Sequence, residues 1–194
     1  MDRLSALKNK ETEEIFSKLN VLHEELSQAF SSEFDRSLPF NELLLDRWER
    51  AKKLGWGNGT SIYDNAYVFG DVTVGENTWI GPFTIIDGTG SLTIGDFCTI
   101  SAGVHLYSHD NVLRTLSGNR KPILYAPLKI GSNTYIGPQS IISKGISIGD
   151  YVIIGANSFV NKDVPSNAIV AGNPAKVIGK VICKGDEIVL KYGI

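Results

Sequence analysis

A branched apolar residue followed by glycine returns at six-residue intervals along most of this chain. The same dipeptide opens successive repeats: Val74-Gly75, Ile80-Gly81, Ile94-Gly95, Ile130-Gly131, Ile136-Gly137, Ile148-Gly149 and Ile154-Gly155. An even period keeps the apolar residues on one face of a strand, because strand side chains alternate. Six residues do not make a whole number of α-helical turns. The period therefore predicts a mainly β fold, a parallel β-helix with a thin Ile/Val core.

The repeat also predicts which residues stack on one another. Three repeats close one triangular coil, so residues about eighteen apart lie in one column. The predicted columns are Ile62, Ile80, Ile100, Ile136 and Ile154 on the first face; Val68, Ile86, Leu106, Ile142 and Val160 on the second; and Val74, Ile94, Ile130 and Ile148 on the third. The Gly, Asp and Asn residues between them suit the turns.

This register is interrupted at two places. Two residues are added after Asp87, within the stretch Gly88-Thr89-Gly90-Ser91. Residues 108–127 then leave the coil and return to it before Ile130. Departures from a regular repeat usually map to loops that carry function. We therefore expect the functional site near these two interruptions.

The histidines indicate the chemistry of that site. The chain has three histidines, of which His23 lies before the repeats, His105 ends a repeat at a coil corner, and His109 opens the extruded loop. The stacking register places Asp87 one coil away from position 107, close to His109. A histidine titrating near neutral pH with a carboxylate beside it is a candidate general base with an orienting group.

The first part of the chain lacks the six-residue period. Apolar residues recur there at helical spacing, which predicts a long helix, and Asn41 is placed to begin a second helix that ends near Gly55. Such helices would cap the open end of a β-helix. We expect three parts: an N-terminal helical cap at 1–56, a β-helix at 57–182 with its extruded loop at 108–127, and a C-terminal tail at 183–194.

Composition narrows the possible partners. The 194 residues carry a net charge of −2, which argues against nucleic acid. Without the apolar segment of a secretion signal or a run able to span a bilayer, the sequence predicts a cytoplasmic protein without membrane insertion. Cys98 and Cys183 suit a reducing compartment. Cys98 takes the inward position of its repeat, where we expect a packed thiol.

Longer stretches of the sequence resemble a known family. Three stretches are similar to the hexapeptide-repeat acyltransferases, especially the maltose- and galactoside-type sugar O-acetyltransferases: the segments 94–109 and 148–165, and the motif Ala171-Gly172-Asn173-Pro174-Ala175-Lys176-Val177-Ile178. The resemblance runs from about Gly70 to Lys180. It implies a left-handed coil, a homotrimer with its active sites between adjacent subunits, and acetyl coenzyme A (acetyl-CoA) as the donor.

The same resemblance assigns roles to individual residues. It implies that His109 deprotonates the acceptor hydroxyl and that Asp87 holds the acceptor. We expect Tyr107 and Asp110, close to His109 in sequence, to bind substrate as well. Five residues match cofactor-binding positions: Ala156, Asn161 and Lys162 along the pantetheine channel, and Lys176 and Lys180 beside the phosphates of coenzyme A.

The expected function is acetyl transfer from acetyl-CoA to a hydroxyl of a sugar or surface-polysaccharide precursor. Two alternatives stay open: N-acetylation of a nucleotide-linked amino sugar, and a non-catalytic β-helix that serves as a scaffold or ligand-binding trimer. The γ-class carbonic anhydrases share the architecture but need three histidines around zinc, whereas only His105 and His109 lie in the repeats. We therefore expect no metal.

One residue departs from the family pattern at a point that matters for catalysis. Pro138 stands where the resemblance places a backbone N–H that stabilises the oxyanion, and proline has no N–H. The donor is then Gln139 or a group of another chain.

Overall fold

The computed structural model describes residues 3–185 and 187–193. These residues belong to two compact units, one ending at Asp46 and the other beginning at Arg47. The first unit is helical. The second is a left-handed parallel β-helix, so the fold class predicted from the repeat is confirmed. The three-part division at 56/57 and 182/183 stays a prediction.

The first unit contains a 3-10 helix (Leu4–Ala6), helix α1 (Lys10–Phe34) and helix α2 (Phe40–Leu44). The side chain of Asn9 caps α1, because its Oδ1 accepts from the N–H of Thr12 at 2.9 Å. The helix ends at Asp35, which adopts a left-handed conformation with φ 51°. The ring of His23 packs edge-on against Phe40 at 5.3 Å, so this histidine is part of the packing of the helical unit.

The second unit is built mostly from two-residue strands. Its elements are α3 (Arg47–Lys53), β1 (Ser61–Ile62), β2 (Tyr67–Val74), β3 (Trp79–Ile80), β4 (Ile85–Ile94), β5 (Thr99–Ile100), β6 (His105–Leu106), β7 (His109–Asp110), α4 (Val112–Leu116), β8 (Leu124–Tyr125), β9 (Leu128–Ile130), β10 (Tyr135–Ile136), β11 (Ile141–Ile142), β12 (Ser147–Ile148), β13 (Ile153–Ile154), β14 (Phe159–Val160), β15 (Ala168–Ala171), β16 (Lys176–Lys184) and β17 (Glu187–Tyr192). Strands β1, β3, β5, β10, β13 and β15 stack in parallel as one face. The other two faces share a sheet through the long strands β2 and β4.

The predicted columns are lines of parallel pairing partners. On the first face Ile62 pairs with Ile80, and the line continues to Ile154. The second and third faces follow their predicted partners in the same way. Val68 is half-buried, and every other column member is exposed by 4% or less. Each buried isoleucine contributes roughly 1.5–3 kcal/mol through its burial, so the columns form the core of the unit.

Repeats turn at their fourth position through a left-handed backbone. The turn residues have φ between 51° and 73°: Asn77, Phe83, Phe97, Gly103, Asn133, Gln139, Gly145, Tyr151 and Asn157. This conformation is uncommon for a bulky side chain. It is offset by stacking between coils, since the N–H of Phe97 donates to the Glu76 carbonyl at 2.8 Å and that of Tyr151 to Ser132 at 3.0 Å.

The glycine of the repeat is required by the approach of the next coil. A Cβ on Gly95 would lie 2.5 Å from the Oγ of Ser132, and one on Gly131 would lie 2.3 Å from the Oδ1 of Asp150. These oxygens fasten the coils together, because the Ser132 Oγ accepts from the Asp96 N–H at 3.0 Å and the Asp150 Oδ1 from the Ser132 N–H at 2.7 Å. The Ile-Gly-Asp/Ser motif therefore acts as one corner unit.

Cys98 occupies an inward position of its repeat and is 2% exposed, as the sequence predicts. Its N–H donates to the Thr78 Oγ1 at 3.0 Å, and its Sγ donates to the Gly131 carbonyl at 3.1 Å. Burial raises the pKa of the Cys98 thiol. The residue is a packed thiol that joins neighbouring coils.

The structure corrects the predicted second helix. The segment forms two short helices because Leu45 adopts an extended conformation with φ −112° and ψ 128°. The first begins at Phe40, so Asn41 lies inside it and does not cap it. In α3, Ala51 is 1% exposed and joins the core cluster, while Arg50 donates to the carbonyls of Tyr63 and Ala66. Helix α3 thus packs over the first coil.

The β-helix ends in an antiparallel meander. Strand β15 pairs with β16, and β16 pairs with β17, in antiparallel fashion. The segment 183–194, predicted as a tail, contributes the end of β16 and all of β17. Positions 186 and 194 of that segment lie outside the described residues.

Candidate active site

The two interruptions of the repeat meet in space. In β4, the three residues Thr89-Gly90-Ser91 stand opposite one residue of β2. The Gly90 N–H donates to the Ser108 Oγ at 2.7 Å, and the Ser108 carbonyl accepts from the Ala126 N–H at 2.9 Å. A Cβ on Gly90 would lie 2.3 Å from the Ser108 carbonyl oxygen. Glycine is needed here because the backbone of the insertion touches both ends of the extruded loop.

A short hairpin closes the base of the extruded loop. Strand β7 pairs antiparallel with β8, with His109 opposite Tyr125 and Asp110 opposite Leu124. In sequence, helix α4 lies between these two strands. The backbone of His109 is therefore fixed by pairing, although the residue belongs to a segment outside the coil.

His109 and Asp87 form a hydrogen-bonded pair. The Nδ1 of His109 lies 2.5 Å from the Oδ2 of Asp87. The Asp87 side chain is 3% exposed, whereas that of His109 is 34% exposed. Since a carboxylate accepts, the Nδ1 carries the proton, and in the neutral ring the lone pair is then on the Nε2. The predicted proximity of the two residues is confirmed.

Asp87 has further donors around it. Its Oδ1 accepts from the Thr89 hydroxyl at 2.6 Å and from the Thr89 N–H at 3.0 Å, and its Oδ2 accepts from the Ser108 N–H at 3.4 Å. Burial raises the pKa of Asp87, but the hydrogen bonds from Thr89 and His109 and the His109 charge outweigh it and hold that pKa below its ordinary value. The carboxyl group is therefore ionised at neutral pH.

Asp110, predicted to bind substrate, is already paired within the chain. Its Oδ2 lies 2.7 Å from the Nζ of Lys144, and its Oδ1 accepts from the Val112 N–H at 3.1 Å. The hydrogen bond with Lys144 lowers the pKa of Asp110. Lys144 comes from the turn after β11, and its position in an ordinary repeat gave no sequence signal. Substrate binding by Asp110 stays a prediction.

Tyr107 and His105 lie together on β6 and the residue after it. The hydroxyl of Tyr107 is 3.3 Å from the Nδ1 of His105, and the two rings meet edge to face at 5.9 Å. His105 lies within strand β6, so its predicted placement at a coil corner is wrong. The ring of Tyr125, which the sequence did not single out, lies 6.0 Å from that of His109.

The five predicted cofactor-binding residues lie in later coils. Ala156 follows β13, Asn161 and Lys162 follow β14, and Lys176 and Lys180 lie on β16. All five are exposed. Within the described chain, no hydrogen bond or ion pair joins them to His109. Their cofactor-binding roles stay predictions.

Two backbone groups at the predicted oxyanion position already form hydrogen bonds within the chain. The Pro138 carbonyl accepts from the Asn157 N–H at 2.9 Å. The Gln139 N–H donates to the Ala102 carbonyl at 3.0 Å. Gln139 was one of two donors left open by the sequence, and this N–H is already used inside the chain.

In the part of the chain that the structure describes, no cluster of three or more His, Cys, Asp or Glu side chains is arranged to hold a metal ion. None of the helices within residues 3–185 and 187–193 combines the length and apolar character needed to cross a membrane.

The stacked coils and the His109–Asp87 pair define a hexapeptide-repeat protein with a polar site at an extruded loop. Two family models match it: the bacterial transferase hexapeptide (six repeats) at residues 127–162, and the hexapeptide repeat of succinyl-transferase at residues 71–108. Each match falls within the β-helix.

Individual relatives agree with these models. The chain is 34% identical to galactoside O-acetyltransferase of Escherichia coli K12, over 56% of this chain and 64% of that protein. It is 33% identical to the putative colanic acid biosynthesis acetyltransferase WcaF of the same organism, over 55% of this chain and 57% of that protein. The chain thus spans less than two thirds of these relatives.

A solved structure matches over more of the chain. The maltose O-acetyltransferase of Clostridium difficile 630 is 30% identical, with a TM-score of 0.53, over 86% of this chain and 88% of that one. The chain belongs to the hexapeptide-repeat acyltransferase family.

The environment of Asp87 generates a pH prediction. Because its pKa is lower in the folded than in the unfolded chain, its carboxylate stabilises the fold above the ordinary aspartate pKa, about 3.9. This contribution is lost as the pH falls through the lower folded pKa. We expect the difference in free energy of unfolding between the wild type and Asp87→Asn to be largest near pH 7 and to shrink below about pH 4.

Urea unfolding from pH 7 to pH 3 measures that difference, and ¹³C NMR of the Asp87 carboxyl carbon measures the pKa directly. A carboxyl that titrates at or above the ordinary aspartate value contradicts the proposed balance between burial and hydrogen bonding.

Proposed function

We propose that this protein is an acetyltransferase that moves the acetyl group of acetyl-CoA to a hydroxyl of a sugar or surface-polysaccharide precursor. In this proposal His109 is the general base and Asp87 orients it. Membership of the hexapeptide-repeat acyltransferases supports the reaction class, and relatives named galactoside and maltose O-acetyltransferase support a sugar acceptor. Cys98 and Cys183 are both free thiols, which fits the proposed cytoplasmic location.

The observation that carries the proposal is the 2.5 Å contact between the His109 Nδ1 and the buried Asp87 Oδ2. It holds one ring nitrogen as a donor and leaves the Nε2 to accept a proton. A base held in one tautomer by a carboxylate is the arrangement that activates a hydroxyl nucleophile. This geometry favours an orienting role for Asp87 over direct binding of the acceptor.

The proposed reaction has two stages, attack on the thioester and departure of the thiol. The His109 Nε2 removes the proton of the acceptor hydroxyl while that oxygen attacks the thioester carbonyl carbon. The tetrahedral adduct collapses with cleavage of the C–S bond. The proton held on His109 passes to the departing sulfur, which gives the acetyl ester and the free thiol of coenzyme A. Ionised Asp87 stabilises the imidazolium that exists between the two proton transfers.

The negative oxygen of the tetrahedral adduct needs a hydrogen-bond donor. Pro138 supplies none, and the Gln139 N–H is used by Ala102. We therefore assign the donor to an adjacent subunit, in line with a site that lies between subunits of a homotrimer.

The coenzyme A end of the proposed site lies in the last coils. Lys176 and Lys180 are exposed cations on β16. In the antiparallel pairing, Lys180 stands directly opposite Lys191 of β17. Like charges placed opposite each other are unfavourable unless an anion offsets them. Phosphate groups of coenzyme A provide such an anion, and Ala156, Asn161 and Lys162 follow the proposed path of its pantetheine arm.

The outer surface of the β-helix supports the proposed trimer. Large apolar side chains stand exposed on it, including Phe83 at 66%, Tyr67 at 63% and Phe97 at 59%. Aromatic side chains are enriched at protein interfaces. Association of three parallel coils would cover such side chains and place residues of two chains around each His109.

Replacement of His109 tests the general base. We expect His109→Ala to lower kcat by roughly 10²–10⁴-fold, with little change in acetyl-CoA affinity. His105→Ala is the control, because its ring contacts Tyr107 and has no hydrogen bond to Asp87 in the described structure. Thiol release from acetyl-CoA with maltose or methyl β-galactoside measures kcat. Equal losses in the two variants contradict the assignment of His109.

Replacement of Lys176 tests the donor site. Lys176→Ala should weaken acetyl-CoA binding by about fivefold, the scale of an exposed charge contact. The loss should be larger at low salt than at high salt. Lys184→Ala, on the same strand, is the control and should bind acetyl-CoA as the wild type does. Calorimetry measures both, and loss of sugar use with unchanged acetyl-CoA binding contradicts the assignment.

The mass of the assembly tests the proposed trimer. We expect sedimentation equilibrium to give a mass near three times that of the 21.2 kDa chain. The trimer should persist at enzyme concentrations where acetyl transfer is measured, because the site needs two chains. A stable monomer that still turns over acetyl-CoA contradicts the inter-subunit site.

A further inference from the structure

Thr89 lies in the insertion of strand β4 and contacts both members of the histidine–carboxylate pair. The insertion places it among the three residues that separate the pair Gly70–Gly88 from the pair Val72–Leu92. The Thr89 residue is exposed, so packing into the core does not explain its position. The sequence predicts that the insertion carries function but assigns no role to this threonine.

The hydroxyl of Thr89 joins Asp87 to His109. Its Oγ1 lies 2.6 Å from the Asp87 Oδ1 and 2.8 Å from the His109 Nδ1. A hydroxyl has one proton to donate. The carboxylate cannot donate, so the hydroxyl proton points to Asp87 and a lone pair points to His109.

This direction of donation favours an imidazole that carries its proton on the Nδ1. An oxygen lone pair at 2.8 Å from the Nδ1 is favourable only when that nitrogen carries a proton. The Asp87 Oδ2, at 2.5 Å, is a second acceptor that requires a proton on the same nitrogen. Two acceptors therefore converge on one N–H, and the tautomer with an unprotonated Nε2 is favoured by both.

We infer that Thr89 is a positioning residue that holds His109 in the tautomer and ring orientation needed for base catalysis. This inference rests on the proposed acetyltransferase function and adds a residue to its machinery. Thr89 acts through His109 and Asp87, and its hydrogen bonds also help to keep Asp87 ionised. The insertion in β4 thus interrupts the repeat at the position that brings Thr89 into contact with Asp87 and His109.

The test removes the hydroxyl while keeping the side-chain shape. We expect Thr89→Val to lower kcat by about tenfold, the size of one net hydrogen bond. The KM values for acetyl-CoA and for maltose or methyl β-galactoside should stay within about twofold of the wild type. Thr89→Ser keeps the hydroxyl and should restore kcat. Thr93→Val is the matched control, since Thr93 is an exposed threonine of the same strand.

A second measurement does not depend on activity. ¹⁵N NMR of His109 should show the Nδ1–H tautomer in the wild type and in Thr89→Ser. In Thr89→Val the Asp87 carboxylate loses the hydroxyl that fixes its Oδ1, so its Oδ2 is held less firmly beside the Nδ1 and a detectable fraction of the Nε2–H tautomer should appear. Thermal unfolding verifies that the variants stay folded. If the protein transfers no acetyl group to any acceptor, the proposed function is wrong. The tautomer spectra then decide the role of Thr89 independently of activity.

Two results overturn the inference. In the first, Thr89→Val keeps both the wild-type kcat and the wild-type tautomer. In the second, it raises only the KM for the sugar, which makes Thr89 a contact for the acceptor and not a support for His109.

Discussion

The stacking of one coil directly on the next is the constraint on which the rest of this structure depends. Each Ile or Val pairs with its counterpart in the neighbouring coils, so every coil on a face must keep the same register. Added residues cannot be absorbed inside such a stack without shifting the glycine corners that follow out of line with those of the next coil. They must therefore leave the coil at a corner or within a long strand. The β4 insertion and the extruded loop meet because the strand residues directly before them pair in register, Ile86 with Leu106.

The corners show how strictly the stack limits sequence. Gly95 and Gly131 have no room for a Cβ, because the polar side chain that fastens the next coil occupies that position. The left-handed turn residues are less restricted in type, since Phe97 and Tyr151 adopt the same conformation as Asn133. Their backbone strain is compensated by hydrogen bonds between coils. The identity of a turn residue is therefore free to serve the outer surface, where aromatic side chains stand exposed.

Sequence reasoning recovered what the register determines. The three columns follow from counting, and so does the approach of Asp87 to His109, because stacking fixes the backbone position of both neighbourhoods. It did not recover Lys144, Tyr125 or Thr89, whose roles depend on the path of an irregular loop and on side-chain rotamers. It also misplaced the second helix, because the backbone of Leu45 is extended, which apolar spacing does not predict. The Gln139 N–H could not be assigned from sequence, since its partner Ala102 lies in the preceding coil.

The balance of charge around Asp87 links the architecture to the proposed chemistry. A carboxylate that is 3% exposed would ordinarily gain a raised pKa from burial. Here the donors come from both interruptions of the repeat: Thr89 from the β4 insertion, and Ser108 and His109 from the start of the extruded loop. Neither interruption alone would satisfy the buried charge. The carboxylate therefore depends on both segments for its ionisation, and each segment gains a fixed position from the carboxylate. A pair assembled in this way is oriented before substrate arrives, which is the condition under which a histidine acts efficiently as a base.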